Sequence, residues 1–221
     1  MPVPDSIFSL PFAEALAFFR AKQNISTERW TEVWKEEHAK AFMVAGAMRD
    51  DLLADFRAEV EKAVAGGTSK AEFRKQFDAI VAQHGWAYNG GASWRSDLIW
   101  RTNIRTSYQA GRWQQFKAAG TQYLRYRHAD GVINPRPQHL AWDGLILPIN
   151  DPWWETHYPP NGWGCRCRAV VETAPGKDAA PDDGTYQWVD KKTGETHTIP
   201  NGIDPGWDYN VGKASEGAHA N

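Results

Sequence analysis

Residues 123–168 read YLRYRHADGVINPRPQHLAWDGLILPINDPWWETHYPPNGWGCRCR, and the fold turns on how this stretch is arranged. It holds both cysteines of the chain, three of its seven histidines, four of its twelve tryptophans and six of its thirteen prolines. From Thr121 to His128 the residues alternate as a strand does, with Tyr123, Arg125 and Arg127 on one side and Leu124, Tyr126 and His128 on the other. Asp130-Gly131 is a turn signal. A second alternating run, WGCRCRAVV at 163–171, places Cys165, Cys167, Ala169 and Val171 on one face and Arg166, Arg168 and Val170 on the other. The loop 131–162 between them exceeds the ~12–15 residues of an idle connection. Its prolines and tryptophans predict a packed, Ω-like segment held between two short β runs.

Upstream, residues 1–94 read as helices. Pro11 suits a first helical position after Ser9, and Phe12, Leu16 and Phe19 mark one face. Ser26 or Thr27 can cap a second helix through Trp30, Val33, Trp34 and Ala41. Beyond Gly46 the pattern continues through Met48, Leu52, Phe56 and Val60, and turns at Gly66-Gly67. Ser69 and Glu72 form a capping box before Phe73, Phe77, Ile80 and Val81, and Gly85 ends that helix. Asn89-Gly90-Gly91 is the candidate boundary. Ser93 then opens a long helix through Ile99, Ile104 and Phe116, stopped by Gly120, with Arg101, Arg105 and Arg112 along one face. Downstream, 172–184 reads as a linker, and 186–189 with 196–199 as a hairpin. The chain after Pro200 should be extended, and 213–221 frayed. The fold class is therefore α+β, divided as 1–92, 93–212 and 213–221: a helical part, a long central helix with a small sheet and packed loop, and a tail.

Composition narrows the function classes. No apolar run approaches the ~20 residues of a membrane helix, and Met1–Leu10 carries no secretory signal. Two cysteines spaced C-x-C are no disulfide framework, which fits a reducing compartment. The net charge of −2 is uneven: residues 95–171 carry ten basic and five acidic side chains, whereas 172–221 carry four and nine. A basic middle can face nucleic acid or pair with the acidic tail, and a pI near 6.4 speaks against a dedicated nucleic-acid binder.

Two constellations carry candidate chemistry. Cys165 and Cys167 sit about 6.5 Å apart on a strand, near the upper limit for a bridge. They suit one metal better, with His139 and His157 completing a Cys2His2 zinc set. Three readings stay open: a structural zinc, buried thiols that pack the loop, or redox or nucleophilic chemistry. Asp130, Arg136 and His139 supply acid, cation and base, and the alternative function is a metal-dependent nuclease or toxin-like enzyme built on them. Asp130 and Asp143 otherwise hold turns, and Arg136 anchors the loop through a carboxylate or backbone contacts. No phosphate-binding glycine loop, HExxH or GxSxG is present, and no catalytic residue or other cofactor is assigned.

At these residues the chain resembles the phage Mu protein F-like family, the minor head or head-morphogenesis proteins of tailed phages. The motif residues are Asp130-Gly131, Arg136-Pro137-Gln138-His139, Asp143-Gly144 and Pro159-Pro160-Asn161-Gly162-Trp163-Gly164-Cys165-Arg166-Cys167. Gly206-Trp207-Asp208-Tyr209-Asn210-Val211-Gly212 resembles the family's closing motif, and Arg101-Thr102 with Gly111-Arg112 its long helix. The likeness runs over roughly 95–212, with residues 1–94 alike only in being helical. The resemblance implies a non-enzymatic virion protein inside the capsid, made in the host cytoplasm. Its implied partners are the portal protein, with scaffold or capsid protein and phage DNA (through the basic 95–136 region) as further ones, and no membrane. It implies a part in head assembly and in DNA packaging or delivery. Some relatives carry a cysteine pair where this chain has Arg136 and His139, and since arginine is no metal ligand, a four-donor site needs another group. Some also carry a toxin domain after this module; none is expected here.

Overall fold

The computed structural model describes residues 12–177 and 179–216; the expected helix-starting Pro11 lies outside them. Three helices of the N-terminal half follow the apolar periodicity: α1 (Ala13–Ala21), α3 (Asp50–Gly66) and α4 (Lys70–His84). The capping box forms as expected. Ser69 Oγ accepts from the Glu72 N–H at 3.2 Å, and a Glu72 carboxylate oxygen accepts from the Ser69 N–H at 2.9 Å. Gly85, in the left-handed region, closes α4. The long helix α5 runs Ala92–Ala118, entered from Gly91 rather than capped by Ser93.

The second expected helix is absent. Residues 30–41 instead form a 3-10 turn at Trp30–Glu32, an extended Val33, a left-handed Lys35 and the short α2 (Glu37–Lys40). The cause is tertiary. Trp34 stacks on Trp188 (5.6 Å, 19°), and Trp30 meets the edge of Trp163 (5.6 Å). The observed turn seats both indoles against the C-terminal half, and aromatic contacts there outweigh helix propensity of a few tenths of a kcal/mol per residue. Ala41–Phe42 (β2) instead pairs in parallel with Gln23–Asn24 (β1).

The C-terminal half is built on a three-stranded antiparallel sheet in the order β4-β3-β5. Here β3 is Tyr123–Arg127, β4 Ile146–Pro148 and β5 Arg168–Glu172. The register runs from Tyr123 opposite Glu172 to Arg127 opposite Arg168, so the two β runs do close on one another. Strand β5 starts at Arg168 and not at Trp163; Val171 lies opposite Leu124, on the face of Ala169 as expected, and is exposed near the strand end. The intervening loop is more regular than expected, since it holds α6 (Pro137–Ala141), β4 and α7 (Trp154–His157). The hairpin forms as β6 (Thr185–Val189) and β7 (Thr196–Pro200). Residues 213–216, expected to fray, belong to the final helix α8 (Val211–Glu216).

Two aromatic-rich cores meet on α5. Phe19, Phe56, Phe73, Phe77 and Ile99 fill the first, and Trp113, Tyr126, Trp142, Trp154 and Tyr158 the second. Helix α1 crosses α5 at Gly111, where a Cβ would come within 2.7 Å of the Ala15 amide nitrogen. A glycine is required for that approach.

Lys22 is an exception to the apolar interior. It is 6% exposed, and its ammonium donates to the carbonyls of His38 (2.5 Å) and Ala41 (3.2 Å). Burial, and then the Arg57 guanidinium, push it down from 10.5 to about 7. Between those values the folded chain has released a proton that the unfolded chain still holds, so stability rises with pH there. Measured by urea unfolding, wild type should gain on Lys22→Met between pH 7 and 10, by on the order of a few kcal/mol. A difference that stays flat across that window would contradict the burial of a charge.

Candidate functional site

The clamped loop brings three of the expected donors together. Pro137 at the first position of α6 sets the helix start, and His139 projects from it into the second core. Cys165 and Cys167 lie just before β5 and face the same way, as period two requires. The His139 Nδ1 stands 3.8 Å from Cys165 Sγ and 3.4 Å from Cys167 Sγ. All three residues are buried, and their donor atoms lie within 4.8 Å of one another. His139 Nε2 faces the Gly202 carbonyl at 2.8 Å. A carbonyl only accepts, so Nε2 carries the proton and Nδ1 turns a lone pair toward the sulfurs.

The surroundings favour negative sulfur. The Cys165 thiol is drawn well below its ordinary range by hydrogen bonding with Cys167, against burial, and by His139 and the Asn161 backbone N–H. Cys167 is pushed upward, because Cys165 and burial both hold its proton in place. Arg105 of α5 is half-buried near this site: burial lowers its pKa, and Cys165 is the first charge that raises it. Tyr126, whose hydroxyl donates to Asn161 Oδ1 at 3.0 Å, also lies against Cys167.

Arg136 reaches Asp204 Oδ2 at 2.6 Å and the Trp163 carbonyl at 3.2 Å, while Trp163 N–H donates to the same carboxylate oxygen at 2.8 Å. This ties the motif PPNGWG to the segment before the closing motif. Asp143 accepts from His128 N–H at 2.9 Å and holds the turn after β3, and Gly144 N–H donates to the Tyr126 carbonyl. Arg166 is half-buried beside the cysteines.

His157 does not join the cluster. Its ring stacks on Trp153 (4.4 Å, 14°), its Nδ1 faces the Trp153 carbonyl and Thr156 hydroxyl, and the Trp142 indole packs against both it and His139. Burial lowers its pKa to about 4. The nuclease constellation does not assemble either. Asp130 is exposed, Arg136 is committed to Asp204, and His139 is shut into the core. The arginine face of α5 is partly engaged within the chain: Arg101 pairs with Asp97 (3.8 Å), Arg105 is half-buried, and Arg112 covers Phe116. Arg105 and Gly202 are contributors that sequence reasoning missed. Arg105 was legible only as one of a stripe, and a backbone carbonyl leaves no signal.

A long helix shared by two cores, with a β-clamped loop locked on it, defines a packed structural module. The family model described as Phage Mu protein F like protein matches residues 54–170. The chain is 34% identical to the "Putative capsid assembly protein F" of Escherichia phage Mu, over 94% of this chain and 56% of that protein. It is 36% identical to the "Mu-like prophage FluMu F protein" of Haemophilus influenzae, over 86% of this chain and 54% of that protein. The chain therefore belongs to the phage Mu protein F-like family. It spans about half the length of these curated relatives. No solved structure matches it. The matched span begins at 54, within α3, so the likeness reaches further toward the N-terminus than the motif residues alone suggested.

Proposed function

We propose that this chain is a head-morphogenesis module that docks on the portal inside the procapsid and aids DNA packaging or delivery. The observation that carries the reading is its identity with the phage Mu protein named as a putative capsid assembly protein, over nearly the whole of this chain. The geometry supports it in one respect. The loop is rigidly packed from within, yet its 131–141 segment turns Ile133 (93% exposed) and Leu140 (48% exposed) outward. A stiff element showing apolar side chains can dock without the ordering cost that a floppy one meets. Scaffold or capsid protein would be a further contact on the same view.

DNA contact through 95–136 is not part of the proposal. Besides the three arginines of α5 already described, Arg95 bonds the Ala45 carbonyl, Arg125 pairs with Glu172 and Arg127 lies 3.6 Å from Asp143. Arg95, Arg101, Arg125 and Arg127 are thus engaged within the chain, whereas phosphate binding needs several free cations. No helix of the described residues is long and apolar enough to cross a membrane.

The test is sedimentation of procapsids from cells carrying the phage or prophage, with cross-linking and mass spectrometry to read the neighbour. The chain is expected in the procapsid fraction, cross-linked to portal protein. Ile133→Asp should weaken capture of purified portal about tenfold, on the order of 1.4 kcal/mol, with unchanged unfolding. Procapsids that form normally without the chain would end the proposal.

A further inference from the structure

We propose that His139, Cys165 and Cys167 bind one zinc ion that pins α6 to the segment entering β5 and so holds the loop closed. The spacing is the first ground. A tetrahedral zinc with bonds of about 2.3 Å to sulfur and 2.0 Å to nitrogen sets its sulfur and nitrogen donors about 3.6 Å apart. The two sulfur-to-nitrogen distances here, 3.4 and 3.8 Å, straddle that value. Little movement is needed to seat the ion.

Orientation is the second. A ligating imidazole ordinarily donates its other N–H to a carbonyl or carboxylate, which aims the ring. His139 does this through Gly202 and is backed by Trp142, stacked at 5.2 Å. The backbone N–H groups of Asn161 and Ala129 face Cys165 and Cys167 respectively, each favouring thiolate sulfur.

Charge is the third. Two thiolates and a divalent ion sum to zero, so a loaded site buries no net charge. Any proton still held by either sulfur leaves to solvent as the ion enters. Among the described residues no fourth His, Cys, Asp or Glu atom joins the cluster, so the fourth position falls to a solvent oxygen. The buried Asn161 Nδ2 has no acceptor, and its side chain meets the Tyr126 hydroxyl, which lies against Cys167.

Cobalt(II) tests this directly. Full chain stripped with a chelator under reducing conditions should take up one equivalent of cobalt, with thiolate-to-cobalt charge transfer and intense tetrahedral visible bands, and zinc should displace it. Cys165→Ser, Cys167→Ser and His139→Ala should each weaken binding by more than about a hundredfold, above what losing an outer-shell partner costs. His157→Phe should bind as wild type does. Folded wild-type chain that shows no thiolate–cobalt band at equimolar metal overturns the proposal, and so does a Cys167→Ser variant that keeps the band. The wild-type measurement depends on no variant folding, and its failure would leave the assembly reading untouched.

Discussion

Trp142→Ala is expected to destabilise the chain by about 3–5 kcal/mol, the cost of truncating a fully buried large aromatic. For a domain of this size that lowers Tm by roughly 10 °C. The indole is 1% exposed, and its Nε1 donates to Asp183 Oδ2 at 2.6 Å. It meets Tyr126, Trp153 and His157 edge-on at 5.0 to 5.6 Å and stacks on His139. Rigid rings on every side cannot collapse into the space left behind, which puts the cost at the upper part of the range. His139 also loses its backing, so cobalt affinity should fall with stability. Trp94→Ala is the control: that indole is 56% exposed and its loss should stay within about 0.5 kcal/mol. Thermal and urea unfolding of the two variants decide the matter, and equal effects would mean that the loop is not packed around Trp142.

The legible parts of this fold were those whose cause is local. The Ser69–Glu72 box lies within four residues, the β3 alternation within five, and the thiols share a face because they are two residues apart. Features set by distant partners did not show. Trp30 and Trp34 have helical spacing, yet their neighbours are Trp163, Trp188 and His197, more than a hundred residues on. His157 has the chemistry of a ligand and the right region, but α7 turns its ring onto Trp153. Arg105 follows the stripe of its helix and is still half-buried, within the electrostatic reach of Cys165. Residue type marked the candidates for the site, and only tertiary packing sorted donors from bystanders. The closing motif became intelligible residue by residue: Trp207 meets Trp163 at 5.1 Å, Asp208 pairs with Lys35 at 2.7 Å, and Asn210 accepts from the N–H groups of Gly212 and Lys213.

The last glycine of that motif gives the second large effect. Gly212→Ala is expected to cost about 3 kcal/mol, the upper end for overpacking. A Cβ there would overlap Cβ and Cγ of Trp113, atoms fixed to the α5 backbone that cannot swing aside. Helix α8 must therefore lift from α5. Six residues make too short a helix to persist without docking. Lifting it breaks the bond from Trp113 Nε1 to Glu216 (2.9 Å) and exposes Val211 and Ser215. Gly66→Ala separates this from ordinary helix propensity. Gly66 ends α3 with nothing within 4 Å of an added Cβ, so alanine there should be neutral or stabilise by up to about 1 kcal/mol. Hydrogen exchange over 207–216 should quicken in Gly212→Ala and stay unchanged in Gly66→Ala. Opposite signs for the same substitution would trace to one cause, the presence or absence of an indole across the helix interface; a Gly212→Ala chain as stable as wild type would place α8 elsewhere than on α5.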